Sequence, residues 1–473
     1  MLRWLRVFLA LAIPCAPAQT SRRLVKLNVA VLDAKQEPVT DLRSTELFVR
    51  EDGKPQHIAL FRFAGSNRKG AAPAAGEFAN RASPAPTVIL LDRWNERMAT
   101  AAAGWIDVRQ TLAGLETTQG IYVYFLTPHG DLFPVHPLPT SNGPESDPSP
   151  ADLAAMLDDA VKKFQGFRDV DEHDPLLRAR VADEALHRLG GAMAAFPGRK
   201  SLIWITHGIP LAARALDGQW ADFTPMVNRL TAGFARTGTV VYPVQQSADG
   251  AASTADLFRT ALEMFGRLTG GRWFPSDNSS QALASALREA RGNYTIAYFA
   301  AEGKSGQIHK IRVSSSRKGV HLQTRDEYYP DETESEGATD FVEQSELEAV
   351  RRAPADAGEI GLRVAVQRSP ATGFLHLTIR ADPSDILIEP HDPGYHAALS
   401  MMLASYREGF PDRTSSPARV DFKLTAEQIE QARKDWLNFP ADLAVTGQTQ
   451  KVRVIVFDRG SRALGSVTIP LSE

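Results

Sequence analysis

Apolar and polar residues alternate with period two over Leu24-Val25-Lys26-Leu27-Asn28-Val29-Ala30-Val31, the pattern of a half-buried strand. Leu47-Phe48-Val49 and Ile58-Ala59-Leu60-Phe61 predict two more strands, and Glu51-Asp52-Gly53-Lys54 between them has hairpin-turn chemistry. From residue 87 the pattern changes. Thr87-Val88-Ile89-Leu90-Leu91-Asp92 is a continuous apolar run ending in an acid, as expected of a strand buried on both faces. Residues 121–126, 201–206 and 239–244 repeat that pattern. Between them, helical spacing covers residues 98–115, 151–164, 176–196, 220–236, 254–268 and 280–290. Tyr294 to Phe299 and Ile308 to Val313 read as strands that close this region.

Buried strands alternating with helices predict a mostly parallel sheet covered on both faces. A ligand site in such a sheet lies beyond the carboxyl ends of the strands, where strand order reverses. The pattern therefore gathers residues 92–97, 127–131, 206–208 and 245–249 at one edge. Further along, residues 326–358 are acidic and read as a linker. Strand patterning returns over residues 359–473, where Gly361 to Val366, Phe374 to Ile379, Val420 to Leu424 and Val452 to Phe457 predict a β-sandwich. One short helix is expected at Thr425 to Trp436.

At about 100–200 residues per domain, 473 residues require more than one. The division that follows is 1–18 leader, 19–63 β segment, 64–86 linker, 87–325 α/β domain, 326–358 acidic linker and 359–473 β-sandwich. The 64–86 stretch is rich in Ala, Pro, Gly and Ser, the composition of a flexible connection. In the leader, Arg3 and Arg6 precede the apolar run Val7 to Ile13, and Ala16-Pro17-Ala18 offers small residues for cleavage before Gln19. An uncleaved anchor and lipidation at Cys15 are the competing readings of this segment. Export to the periplasm or the extracellular space follows from the leader. Cys15 is the only cysteine, so a chain without its leader has no disulfide or thiol chemistry. A net charge of −3 supplies no basic field for nucleic acid. No later segment is long and apolar enough to span a bilayer.

Five local patterns, in order, give the chain a resemblance to the VWFA-related family of von Willebrand factor A-like (VWA) proteins. They are the leading segment with Phe48-Val49-Arg50-Glu51-Asp52-Gly53-Lys54, Val88 to Asp92 followed by Asn95, and Phe196-Pro197-Gly198-Arg199-Lys200-Ser201-Leu202-Ile203. Leu268-Thr269-Gly270-Gly271-Arg272, and Tyr294-Thr295-Ile296-Ala297-Tyr298 with Tyr328-Tyr329, complete the set. The resemblance covers about residues 24–330. It implies a Rossmann-like, doubly wound α/β fold.

The resemblance also implies a Mg²⁺ site built on a DxSxS loop, with a Thr and an Asp from two further loops and one coordination position left for a partner's carboxylate. Here only the first acid is kept. Asp92 stands in place, Trp94 and Glu96 occupy the two serine positions, and Thr206-His207-Gly208 replaces the usual Ser-Asp-Gly. Trp94 has no oxygen and His207 is a poor ligand for a hard cation. The site therefore reads as degenerate, with Asp92 and Glu96 as the remaining candidate ligands for Mg²⁺. Asp92 capping or orienting its loop is the structural alternative.

Arg93, Trp94, Asn95, Glu96, Thr206 and His207 then become candidate contacts for a partner. Trp and Arg dominate the energetic centres of interfaces. Two readings of Trp94 stand: an exposed contact, or a side chain packed inward over the sheet. Asp171-Glu172-His173-Asp174 is a second polar cluster, read either as cation ligands or as an acidic helix start before Pro175.

The turn Asp92 to Arg97 has no glycine to admit a dinucleotide pyrophosphate, and the sequence has no GxxxxGK[ST], G-x-S-x-G or H-E-x-x-H. The expected function is accordingly non-enzymatic and non-covalent binding or adhesion to another protein. A structural subunit of a cell-envelope assembly, docking through the β-rich flanks, is the alternative, and an enzyme of unrecognised type is a third.

Overall fold

The computed structural model describes residues 23–63, 73–74, 76–80, 85–95, 101–139, 147–164, 174–214, 218–246, 252–276, 279–300, 308–328, 336–369, 373–407 and 410–471. The chain opens with β1 (Leu24–Leu32), β2 (Leu47–Glu51), β3 (Lys54–Gln56) and β4 (Ile58–Phe63), then β5 (Glu77–Ala79). The α/β region follows as β6 (Thr87–Asp92), α1 (Ala101–Ala113), β7 (Ile121–Leu126), β8 (Leu132–His136), α2 (Pro150–Lys163), α3 (Pro175–Ala194) and β9 (Lys200–Thr206). It continues through β10 (Ala212–Arg214), β11 (Trp220–Asp222), α4 (Thr224–Arg236), β12 (Thr239–Gln246), α5 (Ala252–Thr269), β13 (Phe274–Ser276) and α6 (Ser279–Arg291). Next come β14 (Asn293–Phe299), β15 (His309–Ser315), β16 (His321–Gln323), β17 (Glu327–Tyr328) and α7 (Glu336–Arg352). The last part holds β18 (Leu362–Ser369), β19 (Phe374–Ala381), β20 (Glu389–His391), β21 (Gly394–Arg407), β22 (Phe410–Thr414) and β23 (Ala418–Leu424). It ends with α8 (Ala426–Asp435), β24 (Leu437–Ala444), β25 (Lys451–Asp458) and β26 (Leu464–Pro470).

The central sheet has the order β13-β12-β9-β6-β7-β8. All its pairings are parallel except β7 with β8. Counted along this sheet's own strands the order is sixth, fifth, fourth, first, second, third, a doubly wound arrangement that reverses between β6 and β9. The apolar runs are continuous because both faces are covered. Ile89 and Leu91 of β6 join a core with α1, α2 and α6, while Val88 and Leu90 point to the other face, against α3, α4 and α5. This is the α/β arrangement that the periodicity predicts.

The closing strands are a correction. β14 does not join the central sheet. It pairs antiparallel with β1 and β4, in the order β16-β1-β14-β4, while β15 joins β17, β2 and β3 in a second sheet. The two sheets share one core, including Leu27, Val29, Val49, Tyr294, Ile296 and Ile311. The physical reason is burial: the alternating apolar face of β1 packs with Tyr294, Ile296 and Tyr298 of β14 in one core. The N-terminal segment and residues 293–328 thus make one β module, and the α/β part is inserted between its halves.

Two expected linkers are also corrected in part. Within 64–86, β5 pairs with β18, Phe78 packs on the C-terminal core, and Glu77 pairs with Arg380. Within the acidic 326–358 stretch, α7 lays Leu347 and Val350 against Met402, Ile455 and Phe457. Its acids meet basic partners, with Glu343 3.0 Å from Arg419. In the C-terminal part, the sheet β24-β19-β18-β5 and the sheet built on β20-β21-β25-β26 share one apolar core that includes Leu377, Ile379, Leu399, Val454 and Val456.

Candidate functional site

The reversal between β6 and β9 brings Asp92 and Thr206 side by side at the carboxyl ends of their strands. Asp92 is 3% exposed, yet its carboxylate is crowded with donors. Oδ1 accepts the Asn95 backbone N–H at 3.1 Å. Oδ2 accepts the Asn95 side-chain amide at 2.7 Å, the Thr206 hydroxyl at 2.7 Å and the Trp204 indole N–H at 3.2 Å. Burial pushes the Asp92 carboxyl above its ordinary range, and these donors oppose that push.

The surrounding oxygens are also engaged. Thr206 Oγ1 accepts the Gly208 N–H at 2.8 Å while donating to Asp92. Gly208 has φ +86°, and a Cβ there would press on Leu262 at 3.2 Å. Thr127 Oγ1 accepts the backbone N–H groups of His129 and Asp131 and so closes its own loop. Asn95 is fully buried and its amide orientation is fixed from both sides. The nitrogen donates to Asp92, and Oδ1 accepts Arg178 Nε at 3.2 Å. Arg178, buried in the first turn of α3, also donates to the Gly208 carbonyl at 3.4 Å. Its guanidinium carbon lies 5.5 Å from the centre of the Phe258 ring.

Of the residues singled out from sequence, Asp92, Asn95, Thr206 and His207 come together, and all are buried. Trp94 takes the inward alternative. It is 5% exposed and packs in the core beside α3, so it is not an exposed contact. Arg93 is half-buried, with its guanidinium carbon 6.0 Å from the Phe125 ring centre. Glu96 lies outside the described residues, as do Asp171, Glu172 and His173. Asp174 caps α3 by accepting the Leu176 N–H at 3.1 Å, as an acidic helix start should.

Two residues of this edge were missed from sequence. Arg178 is one, because nothing local marks a helical arginine as buried. Trp220 is the other. The expected helix over 220–236 begins only at Thr224, and Trp220 instead sits on the β10–β11 hairpin that springs from the end of β9. Its side chain is 72% exposed and Arg214 lies directly across the hairpin. The signal available was the pair Leu211 and Ala212 ahead of Gly218, a short hairpin pattern, but it is weak. Leu176, at the start of α3, is also exposed at this end of the sheet.

No family model matches the chain, and no curated protein matches it. Among solved structures, the human COPII-coat protein Sec24c is similar at 13% identity and TM-score 0.28, covering 52% of this chain and 43% of that one. The pilus adhesin SpaC of Lactobacillus rhamnosus GG gives 11% identity and TM-score 0.29, over 84% of this chain and 57% of the adhesin. The manganese-loaded Plasmodium vivax TRAP protein gives 9% identity and TM-score 0.28, over 54% of this chain and 97% of that one. This chain therefore spans less than two thirds of the first two. Likeness of this degree assigns no function, and the sheet order above rests on the chain's own strand pairing.

Proposed function

We propose that the chain is an exported, non-enzymatic protein that binds another protein at the carboxyl-end rim of its parallel sheet, without a metal and with Trp220 as the central contact. The observation that carries this reading is the exposure of Trp220 on a hairpin anchored to the reversal-point strand. Burying an indole is among the largest gains a single side chain offers an interface. Arg214 beside it favours a partner surface with an apolar pocket edged by acidic groups.

Metal independence is supported by the hydrogen bonds around Asp92. A Mg²⁺ ion needs oxygen lone pairs that face it. Both Asp92 oxygens receive hydrogens, and Arg178 holds a guanidinium against Asn95 next to them. With three donors on Oδ2 and a guanidinium beside Asn95, the arrangement favours hydrogen bonding over a divalent cation. Export rests on the leader-like residues 1–18, which lie outside the described residues. Among the described residues no helix is long and apolar enough to cross a membrane.

The test is quantitative binding of the purified chain to a surface-protein fraction of its source cells. Binding is expected to be saturable, protease-sensitive and unchanged by chelator. Trp220→Ala is expected to weaken it about 30-fold, the effect of losing a central aromatic contact. Equal binding by Trp220→Ala, or loss of binding on chelation, contradicts the reading.

A further inference from the structure

A second cluster of ligand-type side chains lies in the N-terminal β module, on a different sheet from Asp92. Glu51 ends β2, Asp52 forms the turn after it, and His309 begins β15, which pairs with β2. His309 Nδ1 is 2.8 Å from Asp52 Oδ2 and 3.4 Å from Glu51 Oε1. All three candidate atoms lie within 4.8 Å of one another. We propose that Glu51, Asp52 and His309 form a three-ligand site for a divalent cation of the zinc class.

The 2.8 and 3.4 Å spacings from Nδ1 bracket the separation of two zinc ligands. Two ligands at zinc distances, set at a tetrahedral angle, stand about 3.3 Å apart. Charge favours an ion as well. Two carboxylates face one imidazole nitrogen, and Glu51 is only 5% exposed, so a single proton on the ring leaves the group with a net negative charge. A divalent ion neutralises both acids. Without an ion, a hydrogen bond between His309 Nδ1 and Asp52 joins the ring to the acids, and an ion bound there displaces it.

The supporting shell is already oriented. The Tyr328 hydroxyl donates to Glu51 Oε1 and itself accepts Arg23 at 2.7 Å. The Lys310 N–H holds the other oxygen of Asp52 at 2.9 Å, and the Asp52 N–H donates to the Lys310 carbonyl at 2.9 Å. His309 stacks on Tyr328 with ring centres 5.3 Å apart. His309 is 7% exposed, and its Nε2 is buried without a hydrogen-bond partner. Asp52 is the half-exposed member, which leaves the remaining coordination position toward solvent.

The experiment is titration of Zn²⁺ into the chelator-stripped full chain by calorimetry, with the thermal shift measured in parallel. One ion per chain is expected, with affinity falling as pH is lowered. His309→Gln abolishes binding, and Asp52→Asn weakens it at least tenfold. Asp52 has φ 48°, a conformation that Asn adopts readily, so this variant keeps the turn even if His309→Gln folds poorly. Asp92→Asn leaves Zn²⁺ binding unchanged. No saturable binding by the unaltered chain, or unchanged affinity in Asp52→Asn, overturns the proposal.

Discussion

Glu359→Ala lowers the stability of the whole chain by about 3 kcal/mol, the scale of breaking a buried ion pair from one side. Arg62 of β4 is 3% exposed at its side chain, and its charge is met by Glu359 at 2.8 Å. The other Glu359 oxygen accepts the Leu464 N–H of β26 at 3.2 Å. The same side chain crosses Gly198 of the α/β part, where an added Cβ would meet it at 3.0 Å. One carboxylate thus touches the N-terminal β module, the inserted α/β module and the C-terminal sheets. Its removal strands a buried guanidinium and loosens three contacts together. Denaturant unfolding measures the loss. Arg62→Met combined with Glu359→Ala recovers part of it, because the stranded charge is gone. Additive losses in the double variant would show that the two residues do not act as a pair.

Asp92→Ala is the second large effect, again about 3 kcal/mol, from buried donors left without an acceptor. Asn95, Thr206 and the Trp204 indole all lose their partner at once. Arg178 then loses the support of Asn95 as well, one of its anchors beside the Gly208 carbonyl. The loss is expected to be the same in chelator and in excess Mg²⁺, because the carboxylate is held by hydrogen bonds alone. Thermal unfolding in both buffers measures it. A loss that appears only when Mg²⁺ is present would mean that the ion, and not the donors, is what Asp92 serves.

The sequence carried the α/β part well, because a strand buried on both faces leaves an unbroken apolar run. Val88 to Leu91 send alternate side chains into two cores, and each must be apolar. It also placed Asp92 and Thr206 together, since strand ends in a parallel sheet share one edge. It carried strand partners poorly. Periodicity says that Tyr294 to Phe299 is a strand, but its pairing with Leu24 to Ala30 spans most of the chain and leaves no local trace. Composition misled at α7. Glu343, Leu347 and Val350 recur at helical spacing on its buried side, yet the run of acids before them reads as solvated linker. The same limit hid Trp220 and Arg178. Whether an aromatic faces solvent, or an arginine faces a core, is decided by tertiary neighbours and not by the residues beside it in sequence.

The most direct measurement is calorimetric titration of Mg²⁺ into the chelator-stripped chain, with Asp92→Asn alongside. No saturable Mg²⁺ binding that depends on Asp92 is expected, with identical traces for the two proteins. Saturable binding by the unaltered chain that disappears in Asp92→Asn would contradict this and make the reversal-point carboxylate a metal ligand.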